Sequence, residues 1–592
     1  MNKLFRRRAA LTLAIASLGG TFSCKDYLEV PPVSTVDTQY VFSSLDGTTS
    51  ALIGAYDLLS GDQTYGQRLS SYYPYDSDDI QVSGGTTLDQ GRRGIARFVL
   101  DPNNTELLAP WNALYQGVER ANVCIANIPK SPLYTNGTAA EQAAMKAMYG
   151  EALTLRAQYL FELIRNWGDV PAPFEPAAAT PDLRLPNAPR DATYERLLSD
   201  LATAAPLVPW RSQAGTASER ITRGAIKALR ARIALYRGGY SLRSSGTVER
   251  GSNYQQYYEI ARSECADIIV SGEHSLNPNF QTLFKNVNEL RVDNSEIMFE
   301  VAMGGAAGSS DSKLGYYTGP KIDPSSRYGQ GNPGINPLPT YFYAFDSVDT
   351  RRDVTITYYS IGSTNLQSPA PLFSLTDGKF RRDWRVPLLP GTVQYLGYNW
   401  PLIRYADVLL MFAEAQNELA GPTATFGTAA INTPKLALEA VRTRAFRGNT
   451  GRIGTTPTDK GGFFNMLVNE RLLEFGGEGI RKYDLLRWNL LGQKIAEART
   501  NLLALKNDSL TKPSQIYYKQ VGEGMQLTSF YKPRRATVPT GFRTTPVQWL
   551  RNISTTGIGA YASGFTPGKS ELLPIPQVVI DNNRNLRQNP NY

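Results

Sequence analysis

A mainly α fold is what this sequence predicts: a scaffold of tetratricopeptide-like helical hairpins carrying a large, irregular, loop-rich ligand-binding region. Two observations carry that expectation. Apolar residues recur at three- and four-residue spacing over many segments of ordinary helix length. Two long stretches, 300–400 and 507–570, are instead rich in Gly, Pro, Tyr and polar residues and cannot be mostly helical. Hydrophobic residues make up 42% of the 592-residue chain, enough for a sizeable core.

Residues 111–128 place Trp111, Leu114, Tyr115, Val118, Ala121, Asn122 and Ile125 on one helical face. Residues 139–167 form a longer helix, with Met145, Met148, Ala152, Leu155, Tyr159 and Leu163 as its stripe; Gly168 and Pro171 end it. Six prolines between 171 and 189 force an extended connection. Helices resume at about 191–204, 222–237 and 253–271. In the second of these, Ala225, Ala228, Ala231 and Ala234 leave room for a close neighbour, the small-against-large pattern of stacked hairpins. No clean 34-residue repeat is present, so this expectation rests on the helix pattern. Helix returns at 402–420; Thr433 caps another that has Pro434 in its first turn, and two more follow at about 462–475 and 479–491.

The chain starts with Lys3, Arg6, Arg7 and Arg8, an apolar run from Ala9 to Leu18, small residues, and then Cys24. The run is too short to span a membrane and reads as a secretory signal of the lipoprotein kind, residues 1–23, with Cys24 as the lipidated first residue of the mature chain. Thr21 stands where a Leu is usual. Cleavage removes four of the 62 basic residues and none of the 53 acidic ones, leaving a net charge of +5. The basic residues are scattered among acids, so no nucleic-acid partner is expected. No later stretch is long and apolar enough to span a membrane.

Counting excludes much chemistry. One histidine, His274, rules out paired-His zinc sites, and it reads as an ordinary helix-end or loop residue. Cys124 and Cys265 lack metal-ligand spacing; in an oxidising compartment they either pair or remain two buried thiols. No Walker loop or dinucleotide fingerprint is present. In 469–488, Glu470, Glu474, Glu478, Arg481, Asp484 and Arg487 fall mostly three or four residues apart, which suits ion pairs along and between helices better than a paired-carboxylate glycosidase site. Arg404, Asp407 and Glu414 read the same way. Gly476, Gly477 and Gly479 make a tight interhelical turn.

The binding candidates lie in loops. Tyr72, Tyr73 and Tyr75 precede Asp76, Asp78 and Asp79; Arg92, Arg93, Asn103 and Asn104 follow. Ring faces cover the apolar faces of sugars, and Asp, Asn and Arg hydrogen-bond their hydroxyl edges. The opposing reading is that these Tyr pack beneath the loop. The acidic run also has the hard oxygens of a calcium site, without EF-hand spacing; no other cofactor is expected. A second set is Tyr316, Tyr317, Tyr328, Asn332 and Tyr341, with Trp384 nearby in sequence, among glycines that let the backbone turn sharply. Sequence does not decide whether the two sets meet.

Five segments resemble the SusD/RagB family of outer-membrane nutrient-binding lipoproteins, in the family's order: CKDYLEVPP at 24–32, LRAQYLFELIRNWGDVPAP at 155–173, PLIRYADVLLMFAEAQNEL at 401–419, NERLLEFGGEGIRKYDLLRW at 469–488 and LLPIPQVVIDNNRNLRQNPNY at 572–592. The resemblance implies one SusD-like domain over 24–592, with an N-terminal part to about 285 and a C-terminal part from about 286. It implies a lipid anchor in the outer membrane, facing the cell exterior, and a SusC-like TonB-dependent transporter as partner. It implies capture of an oligosaccharide without catalysis. The alternatives are a peptide-binding member of the same family and, further off, a surface glycoside hydrolase.

Overall fold

The computed structural model describes residues 38–84, 91–215, 217–293, 295–508, 510–533 and 537–592. The signal segment and Cys24 lie outside the described residues. The main elements are α1 (Leu45–Asp57), β1 (Ile80–Val82), α2 (Arg92–Ala96), α3 (Leu108–Asn127), α4 (Ala139–Trp167), α5 (Arg190–Ala204), α6 (Arg223–Arg237), α7 (Tyr254–Ser271), α8 (Phe280–Asn288), β2 (Ile297–Val301), β3 (Ile335–Pro337), β4 (Trp400–Arg404), α9 (Tyr405–Ala420), α10 (Pro434–Ala445), α11 (Lys460–Phe475), α12 (Arg481–Arg487), α13 (Leu491–Asn507), β5 (Gln515–Ile516), β6 (Tyr518–Val521), β7 (Gly524–Leu527) and β8 (Val547–Gln548). The fold is mainly α; among the described residues its strands are short and pair only two at a time.

The long helices stack in sequence: α3 on α4, α4 on α5, α5 on α6, α6 on α7, and α7 on α9. Ala225, Ala228, Ala231 and Ala234 are all buried along α6, which is how α6 approaches its neighbours closely. Helix α4 is stapled at its start by a reciprocal cap. The Thr138 backbone N–H donates to Glu141 (2.7 Å), and the Glu141 N–H donates to Thr138 Oγ1 (3.3 Å). Much of α4 is buried on every side rather than along one stripe. Its interior charges are paired accordingly: Arg156 with Asp200 (2.7 Å) and Glu162 with Arg165 (2.6 Å).

Two differences from the sequence reading concern secondary structure. Residues 400–404 are strand β4, antiparallel to β2, and the helix begins only at Tyr405. A fully buried apolar run leading into a buried helix has no distinct period of its own. The helix expected at 479–491 is α12 and ends at Arg487; after a turn at Asn489 a separate helix, α13, runs to Asn507. A second, smaller core forms where α13 meets the irregular region, around Phe342, Trp488, Leu502, Phe530 and Trp549. Cys124 and Cys265 are separate buried thiols, each pushed up by burial. His274 is buried against Arg211, and its pKa is pushed down to about 4 by burial and by that cation.

Candidate functional site

Two distant loops meet through a short antiparallel ladder. Strand β1 pairs with β3, Ile80 opposite Pro337 and Val82 opposite Ile335. The ladder is extended by backbone bonds from Ser83 N to Gly334 O (2.9 Å), Gly334 N to Tyr317 O (2.9 Å) and Asn332 N to Tyr316 O (2.8 Å). The consequence is a convergence that sequence alone left open. The Arg92 guanidinium carbon lies 5.8 Å from the Tyr72 ring centre and 5.7 Å from that of Tyr317. Tyr317 in turn meets Tyr316 edge to face at 4.9 Å.

Tyr72, Arg92 and Tyr317 are each partly exposed, so part of both rings and of the cation reaches solvent. Asn332 is exposed beside them. Asn103 is exposed on the loop whose next residue, Asn104, donates to Gly91 O (3.0 Å), immediately before Arg92. Such a patch can cover a sugar face and bond its hydroxyls.

The remaining candidates take other roles. Tyr73, Tyr75, Asp76 and Asp79 are buried. Tyr73 donates to Glu106 O (2.8 Å) and Tyr75 to Ser70 O (3.0 Å). Asp76 accepts the N–H groups of Val82 (2.8 Å) and Ala562 (2.9 Å), and Asp79 accepts Ser77 Oγ (2.5 Å) and Ile80 N (2.7 Å). These four lie beneath the loop surface: the two Tyr hydroxyls donate to backbone carbonyls, and the two Asp carboxylates are satisfied by local donors. Tyr316 is nearly buried and serves as a wall for Tyr317. Tyr328 turns towards Glu523 (2.9 Å) and packs on Ile322, Tyr359 and Ile361. Trp384 is covered by Arg381, at 4.1 Å, and Lys285, at 5.6 Å from its ring centre.

The 469–488 stretch supports this loop. Arg481 grips Asp78 with two bonds (2.7 and 2.6 Å), and Lys482 donates to Tyr73 O (2.9 Å). A Cβ at Gly476 would collide with the Tyr341 hydroxyl, and Gly477 has φ +80° against Asp377, so this turn admits glycine. Its carboxylates are structural. Glu474 bonds Arg351 (3.1 Å), Arg404 (3.1 Å) and Arg444 (2.6 Å); Glu478 bonds Lys379 (2.5 Å) and Arg404 (2.7 Å). Against the cost of burial, Arg444, Arg404 and Arg351 hold Glu474 well below the usual carboxylate range. Asp407 lies between Arg471 (2.6 Å) and Arg232 (2.7 Å) with the same effect.

Sequence reading missed a neighbouring polar cluster. The chain turns from Lys313 to Tyr317, with Tyr316 N and Tyr317 N both donating to Lys313 O. Lys313 pairs with Asp62 (2.7 Å), and Tyr395 donates to the same carboxylate (2.9 Å). Tyr395 also lines a cavity of about 640 Å³ with Met303, Asp311, Glu300 and Arg385. A second cavity of about 470 Å³ shares Glu219, Glu300 and Met303 with it. Both fall in the size range of ligand pockets. Tyr395 lies between two glycines, Gly391 and Gly397, in a loop with no periodicity; that was the available signal.

A helical-hairpin scaffold presenting an irregular, aromatic-lined face defines a fold class. The chain belongs to the SusD/RagB family. Residues 378–592 match the SusD family model, and residues 26–235 match a second model described as starch-binding, associating with the outer membrane. A SusD-like protein of Formosa agariphila is 25% identical over 79% of this chain and 88% of its own length. The crystal structure of a SusD homolog from Bacteroides thetaiotaomicron superposes with a TM-score of 0.75, at 22% identity, over 94% of this chain and 98% of that one. Surface glycan-binding protein A from the same organism, solved in complex with laminarihexaose, gives a TM-score of 0.62 at 19% identity, over 92% and 99%.

Proposed function

We propose that this chain is a lipid-anchored, outward-facing outer-membrane protein that captures an oligosaccharide on the Tyr72–Arg92–Tyr317 face and passes it to a SusC-like TonB-dependent transporter. The observation that carries the ligand reading is the convergence of two partly exposed rings on one cation. A sugar ring laid on Tyr72 or Tyr317 excludes water from its apolar face, while Arg92, Asn332 and Asn103 offer donors at the edge. One such platform is weak, so several rings must be engaged together, at micromolar to millimolar strength, about −8 to −4 kcal/mol. The Tyr395–Lys313–Asp62 cluster and its cavity extend the polar surface available to a longer chain. Family membership supports the transporter and anchor. The test is affinity electrophoresis of the protein in gels containing neutral polysaccharides: retardation by at least one, lost in Tyr317→Ala, is expected. Retardation by none, with tight binding from a peptide mixture, would favour the peptide-binding reading.

One observation favours a second reading, glycoside hydrolysis. Glu300 and Glu219 line the same cavity, and burial, with Glu219 adding to it, pushes Glu300 up to about 7, the range of a general acid. Ser218 bonds the Glu300 carboxylate at 2.7 Å. Product release from a bound glycan that disappears in Glu300→Gln would establish that reading; intact glycan after prolonged incubation supports capture alone.

A further inference from the structure

We propose a second, separate binding site: the lobe built on β5 to β8 takes an anionic saccharide, one bearing carboxylate or sulfate groups. The charge of this chain is unevenly placed. Residues 510–552 contain seven basic residues and a single acid, Glu523, a net of +6, whereas the whole mature chain is +5. The rest of the chain is therefore close to neutral in net charge, and its basic surplus falls in this segment.

The one acid is already engaged, by Arg327 (2.6 Å) from outside the lobe. Three of the cations rest on rings. Lys519 lies 5.5 Å from the Phe542 ring centre and Arg543 5.0 Å from that of Tyr518. Lys512 lies 4.9 Å from the ring centre of Tyr343, with Asp508 as its acidic neighbour. A ring under a cation fixes its position without neutralising it. Backbone bonds from Thr528 N to Tyr517 O and from Arg543 N to Tyr518 O, both 2.9 Å, hold Arg543 and Thr528 against β6 and its start. The lobe is seated firmly: Phe530 and Trp549 stack at 4.9 Å in the second core, and Trp549 Nε1 donates to Tyr343 Oη (2.8 Å).

Within the lobe a cavity of about 400 Å³ is lined by Lys532, Tyr517, Thr528, Ser529 and prolines 513, 533 and 539. The Thr528 and Ser529 oxygens accept backbone N–H groups at 3.0 and 3.1 Å, so their own protons remain to donate. Hydroxyl donors, apolar Pro and Tyr surfaces and an exposed ammonium suit a sugar ring with an acidic substituent. A protein partner needs an apolar centre, and firm attachment to a lipid surface is helped by side chains that insert; among the described residues of this lobe the exposed large hydrophobics are only Leu510 and Val521.

The test uses detergent-solubilised mature protein titrated with polygalacturonate and sulfated carrageenan oligosaccharides at about 20 and about 300 mM salt. At least one polyanion should bind at low salt and weaken steeply at high salt. The surface variant Lys532→Glu/Arg543→Glu should weaken it about tenfold or more, with helical circular dichroism and neutral-glycan binding unchanged. No polyanion binding at low salt, or binding that survives the charge reversal, would overturn the site. Stronger retention on vesicles containing phosphatidylglycerol than on either polyanion, lost in the same variant, would overturn the saccharide assignment.

Discussion

Arg92 stands 5.7 Å from the ring centre of Tyr317, although one residue belongs to the first hundred of the chain and the other lies past residue 300. The β1–β3 ladder brings the two loops together, and the contact lies at the centre of the proposed site. Arg92→Ala should therefore weaken oligosaccharide binding about fivefold to tenfold, with little change in unfolding free energy, since a part-exposed cation on a ring contributes only about 0.5–1 kcal/mol to the fold. Comparing binding and urea denaturation in the same variant separates the two effects.

Arg404 is the centre of the buried network, bonded to Glu296 (2.5 Å), Glu474 (3.1 Å) and Glu478 (2.7 Å). Arg404→Ala leaves three buried carboxylates short of a cation. It should cost about 3–5 kcal/mol in unfolding free energy. A loss under about 1 kcal/mol would mean that the network is not held as described.

Asp377 is fully buried and its carboxyl is pushed up to about 7 by burial, above the usual Asp value of 3.8. Asp76 and Asp79 are pushed up to about 6 for the same reason. A folded carboxyl that keeps its proton to higher pH than the unfolded one favours the fold fully below about pH 4 and loses that contribution as pH rises through about 7. Wild-type stability should then fall between about pH 5 and 7.5, and Asp377→Asn should remove up to about 2 kcal/mol of that fall. Denaturant midpoints at the two pH values measure it; equal slopes in both proteins would contradict it.

Anchoring has its own test. Cys24→Ala should move the protein from the outer-membrane fraction to the soluble one when no transporter is co-expressed, because the lipid is the proposed membrane attachment. Wild-type levels in the membrane fraction under that condition would refute the anchor.

Much of the scaffold was legible because its signals are local. Thr138 and Gly168 bound α4 at the expected residues, and Thr433, accepting Leu436 N (3.1 Å), caps α10 ahead of Pro434 as expected. The ion-pair reading of 469–488 also holds, since helical spacing puts those charges on facing surfaces. The proposed site was only partly set apart from the interior. Tyr72, Arg92, Tyr317, Asn332 and Asn103 were among the candidates, but so were Tyr73, Tyr75, Asp76 and Asp79, which are interior. Short loops have no period to tell an inward side chain from an outward one. Here Asp76 adopts φ +56° and folds its carboxylate back onto the chain. Which residues meet was set by pairing between residues 80 and 337, a long-range fact that no local pattern carries.

Oligosaccharide capture, as proposed, depends on the paired rings of Tyr72 and Tyr317. Calorimetric titration of wild type and Tyr72→Ala/Tyr317→Ala, with oligomers of two to six sugars from the polysaccharide that best retards the protein, tests it most directly. Wild-type affinity should rise with oligomer length into the micromolar to millimolar range, and the double variant should lose at least about tenfold with its helical content intact. Equal affinity in the two proteins, or no dependence on oligomer length, would contradict it.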